Sequence, residues 1–142
     1  MGLNKQISEV MSSPCITATL LDNVYELAVL MKKHDIGFIP IIEDSKLIGV
    51  VTDRDLVVRG YADKHSGSTA VEKVMTADFL TITPDATVAD AAELMARHQI
   101  RRLPVVESGR LVGVVALGDL AVRDAFIHEA GAALNEISEH IH

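Results

Sequence analysis

The chain has a single cysteine, no tryptophan, and only two tyrosines and three phenylalanines among its 142 residues. One cysteine, Cys15, excludes an intrachain disulfide and fits a reducing cytoplasm. Its apolar neighbour Ile16 points to a buried structural thiol rather than a reactive one. No apolar run approaches the roughly 18 residues needed to span a bilayer. The opening MGLNKQISEVMSS lacks a basic region followed by a long apolar stretch, so neither a secretory leader nor a membrane partner is expected. Gln6 stands where a myristoylation signal requires Ser or Thr. Basic residues are also scarce, 13 against 20 acidic ones, for a net charge of −7. That excludes the broad cationic face by which proteins displace counterions from nucleic acid. It leaves room for a small anion held by a few local arginines. No Ser–His–Asp, Cys–His or metal-ligand cluster is legible, so the chain is not read as an enzyme. The H-x-H ending at His140 and His142 is read as a terminal feature, and His34 and His98 as helix-end residues rather than metal ligands.

What is abundant is aliphatic. Hydrophobic residues make up 49% of the chain, mostly Val, Ile, Leu and Ala, the usual filling of a helix-on-sheet core. They recur in a pattern. Residues 10–59 repeat as 74–123 at an offset of 64 without a gap, with 20 identities in 50 positions. Met11 matches Met75, Met31 matches Met95, Pro40 matches Pro104, Gly49 matches Gly113 and Asp55 matches Asp119. Self-similarity of this kind sets the architecture before any local motif does. It predicts repeats over 7–60 and 71–124, a polar Gly- and Ser-containing linker over 61–70, and a helical tail over 125–142. The recurring methionines are core residues, not a cofactor box.

Each repeat opens with a short β-type segment, 15–19 or 79–83. An amphipathic helix follows, carrying Val24, Leu27, Ala28 and Met31, or Val88, Ala91, Ala92 and Met95, on one face. Asp22 or Asn23 caps the first of these helices, and the 83–87 stretch caps the second. Two β-branched runs around the polar turns 43–46 and 107–110 predict hairpins. A second helix starts at Asp53 or Arg54 in one repeat and at Gly118 or Asp119 in the other. The order per unit is β-α-β-β-α, an α+β fold.

A β-α-β-β-α unit with proline in its middle strand and Gly-Val-Val-Thr-x-x-Asp opening its last helix resembles the CBS domain. Two in tandem resemble a CBS pair, or Bateman module, over about residues 7–123. The resemblance implies a pseudo-two-fold packing of the repeats, assembly into a flat homodimer, and control of a regulated protein that the chain does not identify. It also implies binding of an adenosyl ligand such as AMP, ADP, ATP or S-adenosylmethionine in a cleft between repeats, with no cofactor required. The competing reading is a structural dimerisation module with degenerate sites.

The Thr52-Asp53-Arg54-Asp55 stretch gives independent reason to expect a nucleotide. A hydroxyl and a carboxylate three residues apart at a strand-to-helix junction face one side. A carboxylate accepts hydrogen bonds from ribose hydroxyls, and the helix start offers N–H groups to an anion. The rival role for Asp55 is to cap the helix. In CBS pairs the matching Thr and Asp contact ribose, which singles out Thr52 and Asp55 with Arg54 beside them. The second repeat keeps Asp119 but has Ala116 for Thr52 and Gly118 for Arg54.

The opposite asymmetry precedes the strand proline, where Arg101-Arg102 stand against Gly37-Phe38. Guanidinium groups suit phosphate. Adjacent strand residues point to opposite faces, which favours one of the pair, Arg102 before Arg101. The resemblance implies that these arginines reach the phosphates of the nucleotide whose ribose meets Thr52 and Asp55. It places adenine against the backbone near Phe79 and Leu80, with Ile48 and Val50 as walls. A weaker second site would use Asp119, Ile16 and Thr17.

Overall fold

The computed structural model describes residues 4–121. The tail over 125–142, with His140 and His142, and the end of the second repeat beyond residue 121 lie outside the described residues. Two compact units emerge, and they cut across the sequence repeats. One comprises residues 16–79 with 109–111. The other comprises residues 80–108 with the described parts of the termini, 4–15 and 112–121.

In the first unit, helix α1 (Val24–His34) starts on Asn23, whose side chain accepts from Glu26 N at 2.8 Å while the Glu26 carboxylate accepts from Asn23 N at 3.0 Å. This reciprocal capping box satisfies two of the N–H groups that every helix start leaves open. Asp22 instead accepts from Thr19 N at 2.8 Å. The helix ends at His34, and Asp35 turns the chain out through φ 52°. Strands β1 (Phe38–Glu43) and β2 (Lys46–Thr52) pair antiparallel. Their two-residue loop, Asp44-Ser45, has positive φ at both positions, the form whose twist matches a hairpin. Leu27, Ile39, Ile41, Val51, Val71 and Val74 are fully buried together.

The leading segment 15–19 does not form a strand. It contributes one parallel bridge, Ala18 to Ile41, with Ala18 N donating to Pro40 O at 3.1 Å and Ile42 N donating to Ala18 O at 2.9 Å. Its counterpart in the other unit reduces to the bridge Ile82 to Val105. Residues 61–70 pack as part of the first unit, since Val24 N and Tyr25 N donate to Thr69 O and Gly67 O, each at 2.9 Å.

The second unit repeats the scheme. Helix α3 (Val88–His98) is capped by Thr87 with Asp90, and leaves through Gln99 at φ 56°. Strands β3 (Arg102–Glu107) and β4 (Arg110–Ala116) flank the turn Ser108-Gly109, again with positive φ at both positions. Ile7, Val88, Ala91, Met95, Leu103, Val105, Val115 and Leu120 are fully buried there. Helix α4 (Leu117–Ala121) begins one residue before the earlier of the two expected starts.

The exchange of leading segments has a steric basis. Ile7, from the 3-10 turn Ile7–Glu9, lies in the core of the second unit, and Ser12 bridges Val114 there. In the first unit the turn Val71–Lys73 and Thr76 do the same against Val50. Gly113 leaves room for Met11, whose Sδ would lie 2.7 Å from a Cβ at that position, and Gly49 does so for Met75 at the same distance. Each repeat is thus closed by the segment that leads into the other one.

Candidate functional site

The junction between β2 and the helix that follows carries the groups singled out in the first repeat. Helix α2 (Asp53–Asp55) continues into a π-helical stretch, Leu56–Tyr61. Thr52 is its N-cap: Thr52 Oγ1 accepts from Asp55 N at 3.1 Å, and Asp55 Oδ2 accepts from Thr52 N at 2.8 Å. The capping role and the ligand role therefore do not compete for the same atoms. Capping uses the Asp55 N–H and Oδ2 but leaves the hydroxyl proton of Thr52 and the second carboxylate oxygen, Oδ1, without a hydrogen-bond partner among the described residues. Asp55 is largely covered, with its side chain 19% exposed. A free donor beside a free anionic acceptor fits a vicinal diol.

Arg59 lies one helical turn beyond Asp55, and sequence reasoning missed it. Its Nη1 donates to Val74 O and Met75 O at 3.3 Å and to Thr76 Oγ1 at 3.2 Å, and sits 4.0 Å from Asp55 Oδ1. The legible signal was its recurrence within the repeat and its i+4 spacing from Asp55. Arg54 is exposed, and its backbone N–H donates to Asp53 Oδ1 at 2.8 Å.

Ile16, Thr17 and Phe79 belong to the same unit and are half-buried; Ile48 packs against its core, and Val50 is buried beside Thr76. Arg101, Arg102, Leu80 and Asp119 belong to the second unit. Arg102 opens β3, whereas Arg101 precedes it, and its carbonyl accepts from Leu117 N at 2.7 Å. Both arginines are exposed, and the ion pairs among the described residues, Arg59–Asp55 and Arg97–Glu93, leave them without a carboxylate partner. Asp119 Oδ2 accepts from Ala116 N at 2.8 Å, so the second unit keeps half of the capping box and lacks the hydroxyl.

Among the described residues no group of three or more His, Cys, Asp or Glu side chains gathers as a metal site. No described helix is long and apolar enough to cross a membrane. Cys15 is half-buried, less covered than its sequence context suggests. Burial raises its thiol above the ordinary value, against the opposing pull of a hydrogen bond from its own backbone.

Two α+β units of one design, repeated in tandem, define a class of paired modules. The family model for the CBS domain matches residues 7–60 and 71–124, and the chain belongs to that family as a CBS pair. It is 42% identical over 137 residues to the CBS domain-containing protein YhcV of Bacillus subtilis (strain 168), covering 96% of this chain and 98% of that one. The structure of Hypoxic Response Protein I with two coordinated zinc ions shares the fold at TM-score 0.77 and 29% identity, over 84% of this chain and 98% of that one. The CBS domain pair of protein MJ0100, solved with methylthioadenosine and S-adenosyl-L-methionine, matches at TM-score 0.75 and 29% identity, over 83% and 94% of the two chains.

Proposed function

We propose that this CBS pair is a non-catalytic, cytoplasmic sensor that binds an adenine nucleotide or a related adenosyl ligand. The observation that carries the reading is the Thr52–Asp55 box, which caps a helix yet keeps one hydroxyl proton and one carboxylate oxygen for a ligand. The adenosyl compounds held by the MJ0100 pair support the ligand class. In this reading ribose meets Thr52 and Asp55, with Arg54 beside them. Arg102, with Arg101, meets phosphate, and the backbone at Phe79 and Leu80 meets adenine. The reciprocal site, with Asp119, Ile16 and Thr17, holds a ligand weakly, because it lacks both the hydroxyl and the cations. Leu21, Tyr25, Val29, Val57, Val58 and Tyr61 are exposed apolar side chains, which favours a homodimer. Ligand binding alters contacts with a second copy or with a regulated protein.

Calorimetric titration with AMP, ADP, ATP and S-adenosylmethionine tests this. Micromolar binding of one of them, lost in Asp55→Ala, is expected. An Arg102→Ala variant is expected to lose the preference for AMP over adenosine. Silence from all four ligands at about 1 mM, where even weak affinity registers, would leave the structural dimerisation module, a reading that Ala116 favours for one of the two sites.

A further inference from the structure

We infer that Arg59 is a positioning residue for the ligand, holding Asp55 aimed while leaving its outer oxygen free. The inference rests on the ribose role of Thr52 and Asp55 proposed above. Its basis is a count of hydrogens. A guanidinium Nη carries two, and Arg59 Nη1 has three acceptors at 3.2–3.3 Å: Val74 O, Met75 O and Thr76 Oγ1. Those acceptors use its donors. The fourth neighbour, Asp55 Oδ1 at 4.0 Å, is beyond hydrogen-bond distance and meets Arg59 through charge alone.

This arrangement differs from an ordinary surface ion pair. A cation that donated to Oδ1 would neutralise the carboxylate and also occupy the lone pairs that a ribose hydroxyl needs. Arg59 is restrained from doing so by the chain segment just after the turn Val71–Lys73. That segment is itself fixed, because Val50 N donates to Thr76 O at 3.0 Å and Thr76 N donates to Val50 O at 2.9 Å. The position of residues 74–76 therefore sets how far the guanidinium reaches toward Asp55. Phe79 lies three residues further along the same segment. Ligand affinity and the placement of the stretch leading to Phe79 are thus linked through one side chain.

AMP and its 2′,3′-dideoxy analogue, titrated into the full chain by calorimetry, separate this role from a purely structural one. Wild type is expected to prefer AMP. Arg59→Gln is expected to weaken AMP by about two- to 150-fold, the range for residues sharing one polar network, and to leave dideoxy-AMP nearly unchanged. Arg59→Lys keeps a charge near Asp55 and is expected to restore most of the preference. Thr76→Val removes the nearest of the three groups that hold the guanidinium back, lets it shift toward Oδ1, and is expected to weaken AMP selectively although the proposed ligand contacts do not include Thr76. Should Arg59→Gln fail to fold, the last two variants carry the test. Equal weakening of both ligands by the folded variants, or no weakening, overturns the positioning role alone. A wild type indifferent to the ribose hydroxyls overturns the ribose reading and this inference with it.

Discussion

Gly37 and Asp53 occupy each other's space: a Cβ at residue 37 would lie 2.8 Å from Asp53 Oδ2, while Asp53 N donates to Gly37 O at 3.0 Å. The second unit keeps the backbone bond, Leu117 N to Arg101 O, with a leucine and an arginine in place of the aspartate and the glycine. The arginine missing from the first repeat is therefore tied to the carboxylate that replaces Leu117. Gly37 does not adopt a positive φ, so only Asp53 opposes a side chain there. Gly37→Ala is expected to destabilise the wild type slightly by displacing Asp53 from Arg54 N. In an Asp53→Ala background the same change is expected to stabilise by about 0.4–1 kcal/mol, through lower entropy of the unfolded chain. Urea midpoints of the four chains check the reversal of sign.

Gly113 and Gly49 are equivalent in sequence but not in tolerance. A Cβ at Gly113 would meet the backbone oxygen of Ser12 at 2.8 Å as well as Met11 Sδ at 2.7 Å. At Gly49 the close atom is the flexible Met75 Sδ, and the backbone oxygen of Thr76 lies at 3.3 Å. Gly113→Ala is expected to cost about 1–3 kcal/mol as an overpacked contact with fixed backbone. Gly49→Ala is expected to cost less, because a thioether swings aside. Thermal melts of the two variants give the order.

The missing hydroxyl at residue 116 is repairable. Asp119 already accepts from Ala116 N, so Ala116→Thr would complete the box that Thr52 makes with Asp55. An N-cap of this type is worth about 1 kcal/mol. Ala116→Thr is expected to raise stability by that order, and Thr52→Ala to lower it similarly, both read from denaturant midpoints.

Cys15 is expected to react slowly. Burial favours its neutral thiol, so the folded chain holds the proton more tightly than the unfolded one. Stability from this group is complete below the ordinary thiol pKa and is lost as pH rises from there through the raised one. Iodoacetamide at pH 8 is expected to label the native chain more slowly than a free-cysteine peptide, with the difference abolished in guanidinium. Equal rates in the native chain would contradict the shift.

Much of the fold was legible because it is written in local chemistry. Asn23 and Thr87 cap, His34 and His98 end helices, and Asp44-Ser45 and Ser108-Gly109 turn hairpins, all through contacts within a few residues. The leading segments fall short of strands because 15–19 and 79–83 have β-type composition but meet a neighbour through one bridge each. Arg59 was missed because the segment it holds, Val74 to Thr76, is distant in sequence and signals nothing by composition.

The sequence by itself determined the repeated unit, its elements and the two asymmetries, Thr52 against Ala116 and Gly37 against Arg101. Periodicity and capping are short-range, and a 64-residue echo reports them twice. Only the tertiary structure decided that the segments bearing Ile7 and Val71 each close the core of the other repeat. It alone also showed that capping leaves Asp55 Oδ1 open under Arg59. Both depend on which distant atoms come within a few ångströms, and pattern along a chain does not encode that distance.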